Sequence, residues 1–387
     1  MKQSFVIFFL CVLSSNLFGL DYVKYVNSGG DKPRNLEGRI VSKFSNGYGM
    51  ELTTGELIFC RTENILEQRS DNKEFAPLSI AEMAKVVKEE FSDCKVLTSE
   101  HYVIAYQTST AYADWYRQML ENLHRSFTEF WKKRGVPLTA PQYPLVVVLY
   151  TSRPAFLKHA DEYFGGGDLS LFSGFYTGSR NYIFLYDSSR IHVSSKGSTG
   201  VVGAATGDRA TPAQIEEFLK RPGITGSIDL LIHEGAHQLA YNTGLQSRRA
   251  DCPSWLSEGV AIIRGAPKRK ARNDWDIDLK IDDRRYSDLR KYLRTNPKDP
   301  ILTLIKNDAL FKGKDTKTQS YAMAWGLTFY LMTKYPKEFV EYINTLNNVR
   351  TFSVRGADTR QKDFEQHFGS DWQKLEEDFA KEMMRLW

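Results

Sequence analysis

The sequence predicts an α+β fold: a small N-terminal β unit, a mixed α/β lobe, and a helical C-terminal lobe. Three observations carry this. Short β-rich runs separated by turn signals fill residues 37–66, helical and strand periodicities alternate between 77 and 284, and helical periodicity dominates from 285 to 387. A composition of 42% hydrophobic and 26% charged residues, without repeats or low-complexity tracts, excludes fibrous and disordered classes.

Residues 1–19, "MKQSFVIFFLCVLSSNLFG", place one lysine ahead of an apolar run too short to span a membrane. This pattern predicts a cleaved secretory signal, hence a secreted or periplasmic protein with no stable membrane insertion. Lys2 is the only charged residue in it, so its removal takes the formal charge from +5 to +4. So mild a balance argues against a nucleic-acid partner. The basic cluster 267–272, followed by acidic sequence, reads as a solvated loop. Export makes a Cys60–Cys94 disulfide possible, with Cys252 left as a free thiol; sequence does not fix that pairing.

Residues 20–76 form a linker and the small β unit. Turn signals at Asn46-Gly47 and Thr54-Gly55 mark a meander of the kind found in SH3-like barrels. The α+β lobe follows at 77–284. "LSIAEMAKVVKEEF" has helical period, "KVLTSEHYVIAYQT" reads as a strand pair, and "AYADWYRQMLENLHRSFTEFWKKRG" as a long helix stopped by Gly135. "YPLVVVLYTS" is a buried strand, and "LFSGFYTGSRNYIFLYDS" a hairpin or bent strand. The helical lobe, 285–387, includes "SYAMAWGLTFYLMTKY".

Within the 77–284 lobe lies "LLIHEGAHQLAYNTGL", residues 230–245. His233 and His237 stand about 400° apart round a helix, so both imidazoles project from one face and can reach one ion. Glu234, about 100° round from His233, can reach a water at that ion without being a ligand. Gly235 costs roughly 1 kcal/mol relative to Ala in mid-helix, which points to close packing there. Asn242-Thr243-Gly244 ends this helix, and a loop through Cys252-Pro253 leads to a second, started by Ser254 or Ser257, with Glu258 in its first turns. A His₂Glu set leaves a position for water, the arrangement of a hydrolytic zinc site rather than a closed structural one.

"HEGAH" followed by "WLSEG" resembles the gluzincin metallopeptidases. The wider block is similar to an uncharacterised bacterial family of the peptidase-MA-like superfamily, over roughly residues 95–345. The resemblance implies a thermolysin-like catalytic domain, one Zn²⁺ per chain on His233, His237 and Glu258, Glu234 as general base, and a peptide or protein substrate. Tyr321 is similar in placement to the transition-state tyrosine of the aminopeptidase branch. It also implies that "GFYTGSRNYIFLYD" supplies a substrate-pairing edge strand, with Tyr176 and Tyr182 as wall residues or as core. The sequence departs from the thermolysin-like pattern at Ile262, where those proteins carry an Asp that orients a histidine. A catalytically silent zinc scaffold and a zinc amidase acting on cell-wall or glycan material are the competing readings.

Overall fold

The structure, a computed structural model, describes residues 19–26, 32–164, 173–187, 224–263, 268–271, 274–276, 281–349 and 351–386. The leader read at 1–19 lies outside the described residues except for Gly19. The chain divides into two compact units, Met1–Thr53 with Ile58–Ala76, and Thr54–Leu57 with Pro77–Trp387.

The first unit is a five-stranded sheet of β1 (Gly19–Tyr25), β2 (Arg34–Phe44), β3 (Gly47–Leu52), β4 (Leu57–Arg61) and β5 (Ile65–Glu74), in the order β4-β3-β2-β1-β5. Val23, Tyr25, Leu36, Met50, Leu52 and Cys60 form its core. The sheet is open, which corrects the SH3-like barrel expectation. Strand β5, "ILEQRSDNKE", is exposed along nearly its whole length and has no apolar face with which to close a barrel.

The second unit is built on a mixed sheet of β6 (Lys95–Thr98), β7 (Tyr102–Tyr106), β8 (Leu145–Tyr150), β9 (Gly174–Thr177) and β10 (Tyr182–Tyr186), in the order β6-β7-β8-β10-β9. Strand β8 runs parallel to both β7 and β10, and the two edge pairings are antiparallel. The continuous apolar run of β8 suits a central strand covered on both faces, and all six of its residues are buried. On one face Met83 and Val87 of α1 (Ile80–Glu90) and Phe156 of α3 (Arg153–Phe164) pack against Val146, Val148 and Phe184. Leu120, Leu123 and Phe127 of α2 (Thr110–Lys132), with Leu231 of α4 (Ile224–Asn242), cover the other, against Val147, Ile183 and Leu185. Period-two alternation along β10 thus sends Tyr182 into the first core, so Tyr182 is not a wall residue.

Helix α4 carries the histidines. Its Gln238 amide donates to the carbonyls of Val146 and Asn181, at 3.1 and 3.0 Å, which fixes the helix along the sheet. Gly244, with φ +81°, ends it in the left-handed region. Then come α5 (Ser254–Ile262), α6 (Asp283–Leu293), α7 (Pro300–Lys306), α8 (Lys317–Lys334), α9 (Pro336–Asn347), α10 (Ala357–Phe368) and α11 (Trp372–Met384). Lys268–Ala271 and Asp274–Asp276 pair as a two-stranded ribbon where the basic cluster was read as a loop.

Two glycines set how closely the helices meet. A Cβ on Gly235 would stand 2.5 Å from Leu123 Cδ2 of α2, so the mid-helix glycine is a packing requirement. On Gly259 it would collide with Thr328 Oγ1 and lie 2.8 Å from the Ala324 carbonyl oxygen of α8. Leucine methyls can yield and a helix backbone cannot. Gly259→Ala is therefore expected to destabilise the protein by about 1–3 kcal/mol and Gly235→Ala by less, as read from urea denaturation.

Candidate metal centre

His233 and His237 project from one face of α4, and Glu258 reaches them from the second turn of α5. Nε2 of His233 lies 3.3 Å from Nε2 of His237, and Glu258 Oε2 stands 3.3 and 3.6 Å from those two nitrogens. For zinc–ligand bonds of roughly 2.0–2.1 Å, the edge of a tetrahedron is about 3.3 Å. The three donors therefore form one face of a zinc-sized tetrahedron. Glu258 Oε2 is buried and makes no hydrogen bond to a protein group. A buried carboxylate oxygen facing two imidazole nitrogens calls for a cation among them. Electrostatics say the same: burial alone would lower the His233 pKa, but the adjacent Glu258 carboxylate outweighs it and raises it. Burial likewise acts to raise the Glu258 pKa, and the positive field of His237 and His233 turns the net shift well below the usual carboxylate range. The residues present fit the implied ion.

His237 has a second partner. Ser257 Oγ lies 3.3 Å from its Nδ1, and the Tyr241 hydroxyl lies 3.1 Å from Ser257. Ser257 thus orients the His237 ring, while Ile262 lines the cleft. Neither Ser257 nor Ser254 caps α5, contrary to expectation. Its first amide instead donates to Asp308 Oδ1 at 2.9 Å, a carboxylate at the positive end of the helix. Asp308 is in turn paired with Arg360 at 2.7 Å.

Glu234 faces the edge of the sheet. Its Oε2 accepts the Tyr176 backbone N–H of β9 at 2.7 Å. That bond orients the carboxylate beside the donor set and puts β9 along the same cleft, which has a volume of ≈ 1210 Å³. Tyr176 lines it, held by a hydrogen bond to Asn181 and stacked on Tyr241 with centroids 5.9 Å apart. Tyr321, in the second turn of α8, stands with its ring 6.3 Å from that of His233 and is braced by Phe311. Burial, then the negative charges of Glu258 and Glu234, push its pKa far up, so the phenol keeps its proton.

A second donor group among the described residues, His101, Glu121 and His124, differs in kind. There Glu121 already accepts the backbone N–H of His101 at 3.0 Å and contacts its ring Nδ1 at 2.8 Å, and the imidazoles of His101 and His124 stack at 3.9 Å. These groups satisfy one another. Nor are the cysteines paired: Cys60 is buried in the first unit and Cys94 in the second. Burial pushes the Cys94 and Cys252 thiols up to about 12.

Sequence reasoning missed Asp229, Arg285 and Lys317, which line the same cleft. Asp229 sits one turn before His233, a spacing that was legible. The two cations come from helices with no motif.

Residues 227–352 match the family model described as "Protein of unknown function (DUF1570)". That span contains the whole donor set and Tyr321. No curated protein matches the chain.

Two outcomes follow. Ser257→Ala, which removes the partner of His237, is expected to weaken zinc binding about 10- to 100-fold in calorimetric titration. Burial, then the Asp282 charge, raises the Asp229 pKa from 3.8 to about 6, against the pull of Arg284 and Arg285. The folded state then holds this proton more tightly than the unfolded chain, and the group's contribution falls as pH rises through about 4 to 6. Asp229→Asn should therefore be more stable than the parent at pH 7, with the gap closing below pH 4, by denaturant midpoints at both values.

Proposed function

We propose that this protein is an exported zinc-dependent peptidase. The carrying observation is the position of Glu234, whose carboxylate is held between a His₂Glu donor triangle and the edge strand β9. Zinc on His233, His237 and Glu258 would supply Lewis acidity and lower the pKa of a water toward neutrality. Glu234 is the general base: Oε2 is anchored on Tyr176, and the carboxylate takes the water's proton and passes it to the leaving amine. Tyr321, protonated and with its ring 6.3 Å from that of His233, donates to the oxygen that gains charge as the scissile carbonyl becomes tetrahedral. Among the described residues no strand pairs with the outer edge of β9, and apart from the Tyr176 N–H held by Glu234 that edge would offer main-chain groups to an extended chain, giving affinity with little sequence preference.

Peptide is favoured over glycan because a strand edge recognises a backbone of the same repeat. Export follows from the leader-like sequence at 1–19, and no helix among the described residues is long and apolar enough to cross a membrane.

Purified protein is expected to hold one zinc per chain by elemental analysis; finding none under non-chelating conditions would remove the basis of this reading. Against a broad peptide library, Glu234→Gln should lose at least about 100-fold in kcat with zinc retained. Tyr321→Phe should lose about 100- to 1,000-fold in kcat with little change in KM.

A further inference from the structure

One cation in the cleft lacks the ion pair that several other withdrawn arginines have. Arg360 is paired with Asp251 and Asp308, Arg355 with Asp363, Arg180 with Glu90 and Arg39 with Glu51, while Arg248 of the same cleft donates to two backbone carbonyls. Arg285, on α6, is partly buried, and its guanidinium makes no ion pair or hydrogen bond among the described residues, although Asp282 and Asp288 act on it from a distance. Its contact is with a ring. The guanidinium lies over Tyr321, 5.0 Å from the centroid, and Lys317 Nζ lies 5.8 Å from that same centroid. Lys317, exposed at the start of α8, has no ion pair among the described residues either.

Removing a guanidinium from water without a contacting anion is costly, and burial lowers the Arg285 pKa despite the opposing pull of Asp282. The donors that remain open face a cleft they share with His233, Glu234 and Glu258, one tyrosine ring away from the donor set. A planar fork with open donors matches a carboxylate in two-point geometry. Glu234, Glu258, Asp229 and Asp282 line or border the same space, so a doubly charged phosphate would meet more repulsion than a monoanion.

We propose that Arg285, assisted by Lys317, is a specificity-determining residue that receives a substrate carboxylate beside the metal centre. The substrate class is thereby narrowed to peptides carrying a carboxylate next to the scissile bond, supplied by the chain's own C-terminus or by an acidic side chain. This rests on the peptidase reading of the same cleft.

The test separates the two claims by measuring binding in the zinc-loaded Glu234→Gln protein and turnover in the parent. Three probes are titrated calorimetrically: N-acetyl-Ala-Ala-Phe as the free acid, the same peptide as its C-terminal amide, and N-acetyl-Ala-Glu-Phe amide. A carboxylate-bearing probe is expected to bind about 10- to 100-fold more tightly than the plain amide. Arg285→Gln should erase that advantage, Arg285→Lys restore part of it, and Lys317→Gln diminish it, with amide affinity unchanged throughout. Which of the two acidic probes is preferred identifies the source of the carboxylate. Equal or absent binding of all three overturns the proposal. So does a preference that survives both Arg285→Gln and Lys317→Gln in variants that melt like the parent. A carboxylate preference without turnover by the parent keeps the pocket and sinks the peptidase. Turnover without that preference does the reverse.

Discussion

Three donor atoms held 3.3 to 3.6 Å apart are the constraint on which this structure turns, because they come from two helices that must each be fixed by something else. The intrahelical pair on α4 costs little, since a separation of four residues brings the rings together. Glu258 is harder to place. It depends on α5 lying against α8 closely enough for Gly259 to pass under the backbone at Ala324, and on α4 lying against α2 at Gly235. Gln238 then ties α4 to two carbonyls of the sheet, so the histidine face has one azimuth. The donor triangle is thus an expression of how four helices and a sheet pack.

Polar contacts extend this rigidity outward. Ser257 and Tyr241 fix the His237 ring, and Asp308 holds the start of the helix that carries Glu258. Asp308 is shared with Arg360 of α10, which also binds Asp251 in the loop between α4 and α5. Helix α10 therefore buttresses the helix that carries Glu258 through Asp308 and Asp251.

Much of this was legible in the sequence because it is local. The α+β class, the central strand 145–150 and the convergence of His233 and His237 follow from periodicity and from one helical turn. Glu258 was legible by its surroundings, "WLSEG", and by the length of the intervening loop. What could not be read depends on contacts between distant segments. Tyr182 was grouped with Tyr176, yet the alternation of β10 turns it to the opposite face of the sheet. The open first sheet was hidden because β5 is a strand of polar residues, recognisable only by its neighbour β1. Arg285 has no motif at all; its isolation emerges only when its surroundings are known. Ser257 was read as a cap for the opposite reason: a serine at a helix start has a local explanation, and here a distant aspartate takes that role.

The bond from the Tyr176 amide to Glu234 makes β9 an incomplete template. An edge strand ordinarily offers each outward donor to an incoming chain, but here the donor nearest the base is already engaged. A guest backbone laid in register would find its facing oxygen with no main-chain hydrogen to accept, at the one position where an unclaimed carbonyl is chemically useful. On the proposed peptidase reading, the rung missing from the ladder would mark the place along the peptide at which the bond is cut.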